Sequence, residues 1–163
     1  MTTNDFTLSF YVPQTPQDVY TAINNVPAWW AADFSGASEQ EGDEFAVRFF
    51  GDVHYSRHKV EEAVPAQKIT WLVTDSCLSF LRNKTEWTGT RMLFEIREEG
   101  AQTRVVFTHV GLHPEAECFR DCSVGWTTFL LHSLRNLITT GKGNLDALKN
   151  KMAADEEMLS TQP

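Results

Sequence analysis

The stretch that decides the fold is residues 91–138, RMLFEIREEGAQTRVVFTHVGLHPEAECFRDCSVGWTTFLLHSLRNLI. Its first part alternates. Met92, Phe94 and Ile96 are apolar at every second position, Glu99-Gly100 turns the chain, and Val105, Phe107 and His109 resume the period of two. Successive strand side chains point to opposite faces, so this reads as a hairpin with one apolar face. The second part changes period. Phe119, Cys122, Trp126, Phe129, Ser133, Leu134, Leu137 and Ile138 fall at helical spacing on one side. The expectation is a long helix opened by Pro114, with Glu115 and Glu117 in its first turn, Arg135 near its end and Gly141 as the residue that stops it. A helix of about 26 residues would be roughly 39 Å long.

Working outward, the same alternation fills the chain from about Glu44 to Leu112. Phe45, Val47 and Phe49 alternate, Gly51-Asp52 turns, His54 to Val64 is a strand ended by Pro65-Ala66, and Ile69, Trp71 and Val73 alternate again. Asp75 to Thr85 reads as a wide loop or an irregular hairpin. Toward the start, Phe6, Leu8, Phe10 and Val12 mark a first strand, ended by Pro13. Thr15 is a good N-cap, followed by Pro16 and Asp18, for a short helix that buries Val19, Tyr20 and Ile23. Asn24-Asn25 breaks it, and Pro27 opens a second short turn carrying Trp29 and Trp30. Beyond Gly141, where Gly141-Lys142-Gly143 reads as a helix stop, Leu145, Leu148 and Met152 suggest a weaker helical segment, and Asp155 to Pro163 a frayed tail.

The fold class that follows is α+β. A curved antiparallel sheet of about six to seven strands wraps on the long C-terminal helix, with two short helices after the first strand. Gly125 beside Trp126 would let that helix approach the sheet. Where the sheet curves away, an elongated apolar cavity is expected. Residues 1–163 read as one domain with its core at about 6–141.

The 163 residues carry 14 Lys+Arg against 22 Asp+Glu, a net charge of −8. That balance argues against nucleic-acid backbones and anionic membranes as partners, because both attract cations. There is no apolar run long enough to span a bilayer, and MTTNDFTLSF has neither the basic nor the apolar region of a secretory signal. The three cysteines, Cys77, Cys118 and Cys122, are an odd number, which suits a reducing cytoplasm better than a disulfide framework. Asn83-Lys84-Thr85 matches a glycosylation acceptor, which is empty without secretion. The unusual feature is the aromatic load, 11 Phe, 5 Trp and 3 Tyr, more than core filling requires.

This order of elements resembles the START-like superfamily, also called the helix-grip or birch-pollen-allergen-like fold. Within it the chain is most similar to the family of activator of heat-shock-protein-ninety ATPase homologue-like proteins (AHSA-like, in the SRPBCC group). The residues that carry the resemblance are Pro16-Gln17-Asp18-Val19-Tyr20, Trp29-Trp30, Gly42-Asp43-Glu44-Phe45 and Val64-Pro65-Ala66-Gln67-Lys68-Ile69-Thr70-Trp71. Gly89-Thr90-Arg91, Thr103-Arg104-Val105, Thr108-His109-Val110-Gly111-Leu112 and Gly125-Trp126 with Leu130 continue it, over about residues 6–141. The resemblance implies a cavity for a hydrophobic ligand and carries no invariant catalytic motif. A homodimer and a chaperone partner are further implications of it.

The expected binding residues are Trp30, Phe49, Trp71, Trp87, Phe107, His109, Cys122, Trp126 and Phe129. A mostly apolar pocket with a few polar groups is the usual form of a ligand site. His109 shares the parity of Val105 and Phe107, so it points inward, where it can hold a polar ligand head, move a proton, or simply be a core histidine. If the chain is an enzyme of this fold, a cyclase, dehydratase or hydrolase, His109 is its acid/base. Arg91 and Glu86 flank Trp87 and can add polar contacts. Cys118 and Cys122 share a helix face and with His109 or His113 could hold zinc, but no second pair exists, so core packing is the reading and no metal is expected. His54 and His58 share one strand face and with Arg48 and Arg57 could form a polar patch; the reading is an exposed sheet face. G-x-S-x-G, G-x-G-x-x-G and the P-loop pattern are absent, so no cofactor is expected. The functional expectation is therefore binding of a small apolar or amphipathic ligand between sheet and helix.

Overall fold

A computed structural model of the chain describes residues 4–151. In chain order it has β1 (Phe6–Val12), α1 (Pro16–Asn24), α2 (Val26–Trp29), β2 (Asp33–Gly36), β3 (Glu44–Phe49), β4 (His54–Val64), β5 (Lys68–Leu78), β6 (Arg91–Glu99), β7 (Gln102–Val110), α3 (Phe119–Phe129), a π-helical turn (Leu130–Leu134) and α4 (Arg135–Thr140). The strands form one sheet in the order β1-β7-β6-β5-β4-β3-β2, every pair antiparallel. Register shifts at Arg57/His58 and Val60/Glu62 break the ladder of β4 and increase its bend. The expected α+β helix-grip architecture is the one observed.

Local chemistry sets the elements. Thr15 Oγ1 accepts the Asp18 N–H at 3.1 Å while the Asp18 carboxylate accepts the Thr15 N–H at 3.4 Å, a capping box that starts α1. Gly141 ends α4 with φ of 84°, a left-handed position that costs glycine little. Between sheet and helices, Val12, Ile23, Ile69, Met92, Phe94, Leu130 and Leu134 are completely buried. Each such side chain contributes about 1.5–3 kcal/mol relative to exposure.

Four expectations need correction. The long helix begins at Phe119, not Pro114. Residues 114–118 are turns and a bend, and the Glu86 carboxylate takes the N–H groups of Glu117 and Cys118, both at 2.9 Å, and so caps the helix there. The short edge strand β2 was not expected; four residues offer little periodicity. Gly125 does not approach the sheet: a Cβ there would meet only Leu148 Cδ2, at 3.9 Å. The close approach is instead at Gly143, where a Cβ would run into the Ala28 carbonyl oxygen. Finally, around Trp126 the space between α3 and the sheet is filled by aromatic side chains, where an elongated cavity was expected. The expected weaker helical segment starts at residue 147; Met152 and the tail lie outside the described residues.

Candidate functional site

The filling is aromatic. Trp71 of β5, Trp30 just after α2, Trp126 of α3 and Trp87 of the β5–β6 loop form a continuous stack. Successive ring centroids are 6.0, 5.0 and 5.9 Å apart at angles of 12°, 28° and 8°. Phe107 lies 4.5 Å from Trp126, and Phe45 and Phe94 each lie 5.0 Å from Trp71. Offset stacking and tilted edges are the favoured geometries for such rings. Trp29 is also buried, but its Nε1 donates to the Ile23 carbonyl at 3.1 Å and it lies beside the stack.

Polar groups thread this interior. Trp126 Nε1 donates to His109 Nδ1 at 3.0 Å. An accepting Nδ1 places the imidazole proton on Nε2, which lies 2.9 Å from Thr90 Oγ1; the Thr90 hydroxyl then donates to the Trp87 carbonyl at 2.6 Å. Burial, aided by nearby His54, lowers the His109 pKa to about 3. His109 is therefore neutral at ordinary pH, and both its nitrogens are engaged. Neither is available to exchange a proton with a ligand.

On β4, Ser56 Oγ lies 3.1 Å from His54 Nε2 and 2.9 Å from His58 Nε2. Its single proton goes to one imidazole while it accepts from the other. Burial lowers the His54 pKa to about 3, and burial plus the neighbouring His54 and His109 holds His58 well below its usual value. His54 and His58 thus face the interior, not an exposed sheet face. The signal was present: His54, Ser56, His58 and Val60 alternate with Arg57, Lys59 and Glu61, which must take the water side. Among the described residues, Trp71 Nε1, Trp87 Nε1 and His58 Nδ1 of this aromatic interior have no partner. An unpaired buried donor costs about 1–3 kcal/mol.

At one end this interior meets the surface. A pocket of about 280 Å³ opens to solvent there, with Trp30, Phe49 and Phe129 as its apolar lining and Leu145 and Leu148 on the opposite wall. Asp33, Arg48, Asp146 and Lys149 supply its polar lining. Phe50, half-exposed and held at φ of 51°, stands at the same mouth. Ser133, in the π-helical turn, anchors the far wall: its hydroxyl donates to the Trp29 carbonyl at 2.6 Å and accepts the Asn144 N–H at 2.8 Å. π-turns recur at functional sites.

Of the nine expected residues, Trp30, Phe49 and Phe129 line this mouth. Trp71, Trp87, Phe107, His109 and Trp126 lie behind it in the packed interior. Cys122 stands apart, joined to Cys118 across one helical turn with the Cα atoms 5.4 Å apart. This corrects the expectation of unpaired thiols: spacing of four residues on one face brings the sulfurs together. It also spends the sulfur ligands that the zinc alternative required. Cys77 is free and exposed. Arg91 and Glu86 do not reach the interior. Arg91 pairs with Glu61 at 2.7 Å, and Glu86 is the cap described above. Sequence reasoning singled out His54 and His58 but faced them outward, and it did not assign Ser56, Thr90 or the wall from Leu145 to Lys149 to the site.

The family described as Activator of Hsp90 ATPase homolog 1-like protein matches residues 15–139. No curated protein matches the chain. Among solved structures, the Aha1 dimer of Colwellia psychrerythraea, determined in solution, is 26% identical with a TM-score of 0.69, over 85% of this chain and 98% of that one. SSP2350 of Staphylococcus saprophyticus is 15% identical with a TM-score of 0.62, over 86% and 95%. CalU16 of Micromonospora echinospora is 14% identical with a TM-score of 0.62, over 94% and 85%. The last two likenesses are of fold.

Proposed function

We propose, for a chain that belongs to the family of Activator of Hsp90 ATPase homolog 1-like proteins, that it binds a small apolar or amphipathic molecule at the pocket over Trp30. The observation that carries this reading is that mouth. It is an open concavity of about 280 Å³ whose apolar lining, Trp30, Phe49 and Phe129, continues directly into the indole stack. The charged groups around it suit the polar end of an amphipathic guest. Catalysis by His109 has less support, since its nitrogens are bonded to Trp126 and Thr90.

The test is a titration with an apolar fluorescent dye such as Nile red. Phe129→Ala should weaken dye binding by about tenfold or more, the worth of one buried aromatic contact. Tyr11→Ala, on the sheet edge away from the mouth, should not. Absence of any dye binding by the folded protein would refute the reading.

A second reading has one observation in its favour. The filled interior suits a protein that assists a chaperone through its surface, in line with the family's description. Stimulation of an Hsp90 ATPase by the purified chain would support it. We also read the chain as cytoplasmic, in keeping with a described structure in which no helix is long and apolar enough to cross a membrane. Self-association is a further part of the reading, because the Colwellia relative is a dimer; sedimentation would test it.

A further inference from the structure

The two edges of the sheet are not alike. β2, at one end, is four residues long, DFSG, with the charged Asp33 at its start and Gly36 at its close. Short length, a charge and a glycine all discourage an edge from pairing further. β1, at the other end, is seven residues long and reads FTLSFYV, with no charge, glycine or proline. It pairs with β7 in one unbroken register from Phe6↔His109 to Val12↔Thr103, so no bulge turns it away. Among the described residues, no backbone hydrogen bond joins residues 7–12 to any element but β7. An uncharged edge of this length is a ready template for another strand.

The pattern of β1 says how that strand would lie. The Phe6 N–H turns toward the β7 side, where it donates to the Leu112 carbonyl at 2.8 Å. The N–H and C=O of one residue point the same way in an antiparallel strand, and successive residues alternate. Thr7, Ser9 and Tyr11 therefore turn their backbone groups outward, and all three are exposed. A second β1 laid antiparallel, with Ser9 opposite its own copy, brings Thr7 against the partner's Tyr11. Every outward N–H and C=O then has an opposite number. On the outer face the pairs are serine with serine and threonine with tyrosine, so no like charges meet. On the inner face Leu8 comes opposite the partner's Phe10, and Phe6 opposite the partner's Val12. Phe6 and Leu8 are only half-buried in the single chain, and this placement covers what they leave exposed.

We propose that β1 is the surface through which this chain meets a second copy of itself: two β1 strands join antiparallel about a two-fold axis at Ser9, and the two sheets become one. This rests on the self-association read above and adds the surface, the register and the residue at the axis. The self-matched register is what selects a second copy over an unrelated extended peptide. A two-fold contact is isologous, so it closes at two copies and leaves the blunted β2 at both ends of the joint sheet. A contact one strand wide is at the small end of stable interfaces, so a Kd in the micromolar range is expected.

Sedimentation of the full chain over a concentration series measures the association, and hydrogen exchange read amide by amide locates it. The amides of Thr7, Ser9 and Tyr11 should slow together as the dimer fills, while those of Leu8, Phe10 and Val12, turned toward β7, stay slow throughout. Ser9→Lys sets two ammonium groups side by side at the axis and should weaken the dimer by about fivefold or more, the effect of one opposed like-charge pair. Ser35→Lys, an exposed site on β2, should leave the association as it was. A monomer at every concentration would overturn this proposal and the self-association reading together. A dimer that Ser9→Lys leaves intact, or whose three outward amides exchange as fast as in the monomer, would overturn the surface while self-association stood. Slow exchange of those amides at every concentration would mean that another part of the chain covers the edge, which also overturns it. Should Ser9→Lys fail to fold, the exchange pattern of the unaltered protein decides.

Discussion

The indole nitrogen of Trp126 lies 3.0 Å from Nδ1 of His109, so the long helix and the last strand are joined by a hydrogen bond inside an aromatic interior. That bond fixes the histidine tautomer, orients the indole, and places Trp126 in contact with Trp30, Trp87 and Phe107 at once. Because this surrounding is packed, Trp126→Ala should destabilise by about 3–5 kcal/mol, the full range for truncating a buried aromatic. Trp126→Phe keeps most of the ring but leaves His109 Nδ1 without its donor, for about 1–3 kcal/mol. Urea melts of both variants check this; a Trp126→Phe protein as stable as the parent would show that the bond contributes nothing.

Stability should fall with acid earlier than carboxylate titration alone would cause. The folded pKa values of His54 and His109 are about 3, below the usual 6.5, and His58 is lowered as well. Between about pH 6.5 and pH 3 the unfolded chain therefore binds more protons than the folded one, so stability is lost as the pH drops through that window. His54 and His109 should each cost roughly 2 kcal/mol at pH 5, and His58 adds to the loss in the same direction. Denaturant melts at pH 7.5, 6 and 5 measure the slope, and a flat profile would mean that the interior admits charged imidazole.

The Glu86 and Glu117 carboxylates form a reciprocal clasp. Glu86 accepts the N–H groups of Glu117 and Cys118, and Glu117 accepts those of Arg82 and Asn83 at 2.8 and 3.0 Å. The latter two bonds hold the Glu117 carboxyl below its usual pKa. Glu86→Ala should cost about 1 kcal/mol, as loss of a helix cap does. Hydrogen exchange should quicken at Glu117 and Cys118 in Glu86→Ala, and at Arg82 and Asn83 in Glu117→Gln. Unchanged exchange at all four amides would remove the clasp.

Two glycines should respond oppositely to alanine. Gly143→Ala drives a methyl into the Ala28 carbonyl oxygen and should destabilise by about 1–3 kcal/mol, because backbone must shift. Gly125→Ala meets only Leu148 Cδ2 at 3.9 Å and should stabilise by about 0.5–1 kcal/mol through helix propensity. Thermal melts of the pair decide it, and the reverse order would mean that α3 approaches the sheet at Gly125 after all.

Much of the fold was legible in the sequence because it is written in short-range periods. The alternation of Met92, Phe94 and Ile96, the capping box at Thr15 and Asp18, and the stop at Gly141 each depend on neighbours a few residues away. The start of α3 was not legible, because its cap, Glu86, lies far away in sequence on another loop. His54 and His58 were legible in principle from the charged residues between them, and their polarity argued misleadingly for an outward face.

Strand and helix periods assign most residues to a face, so the inward-pointing side chains could largely be read from the chain alone. The chain thereby selected Trp30, Trp71, Phe107, His109, Trp126 and Phe129 for the inner side. Whether the space they face is empty or full depended on the assembled packing. Five tryptophans approaching from α2, β5, a loop and α3 can leave a cavity or close it, depending on ring angles and offsets that no local pattern encodes. Here the rings stack, His109 is bonded to Trp126 and Thr90 across elements, and the interior reaches the mouth over Trp30, because volume is a property of the assembled packing and not of any segment.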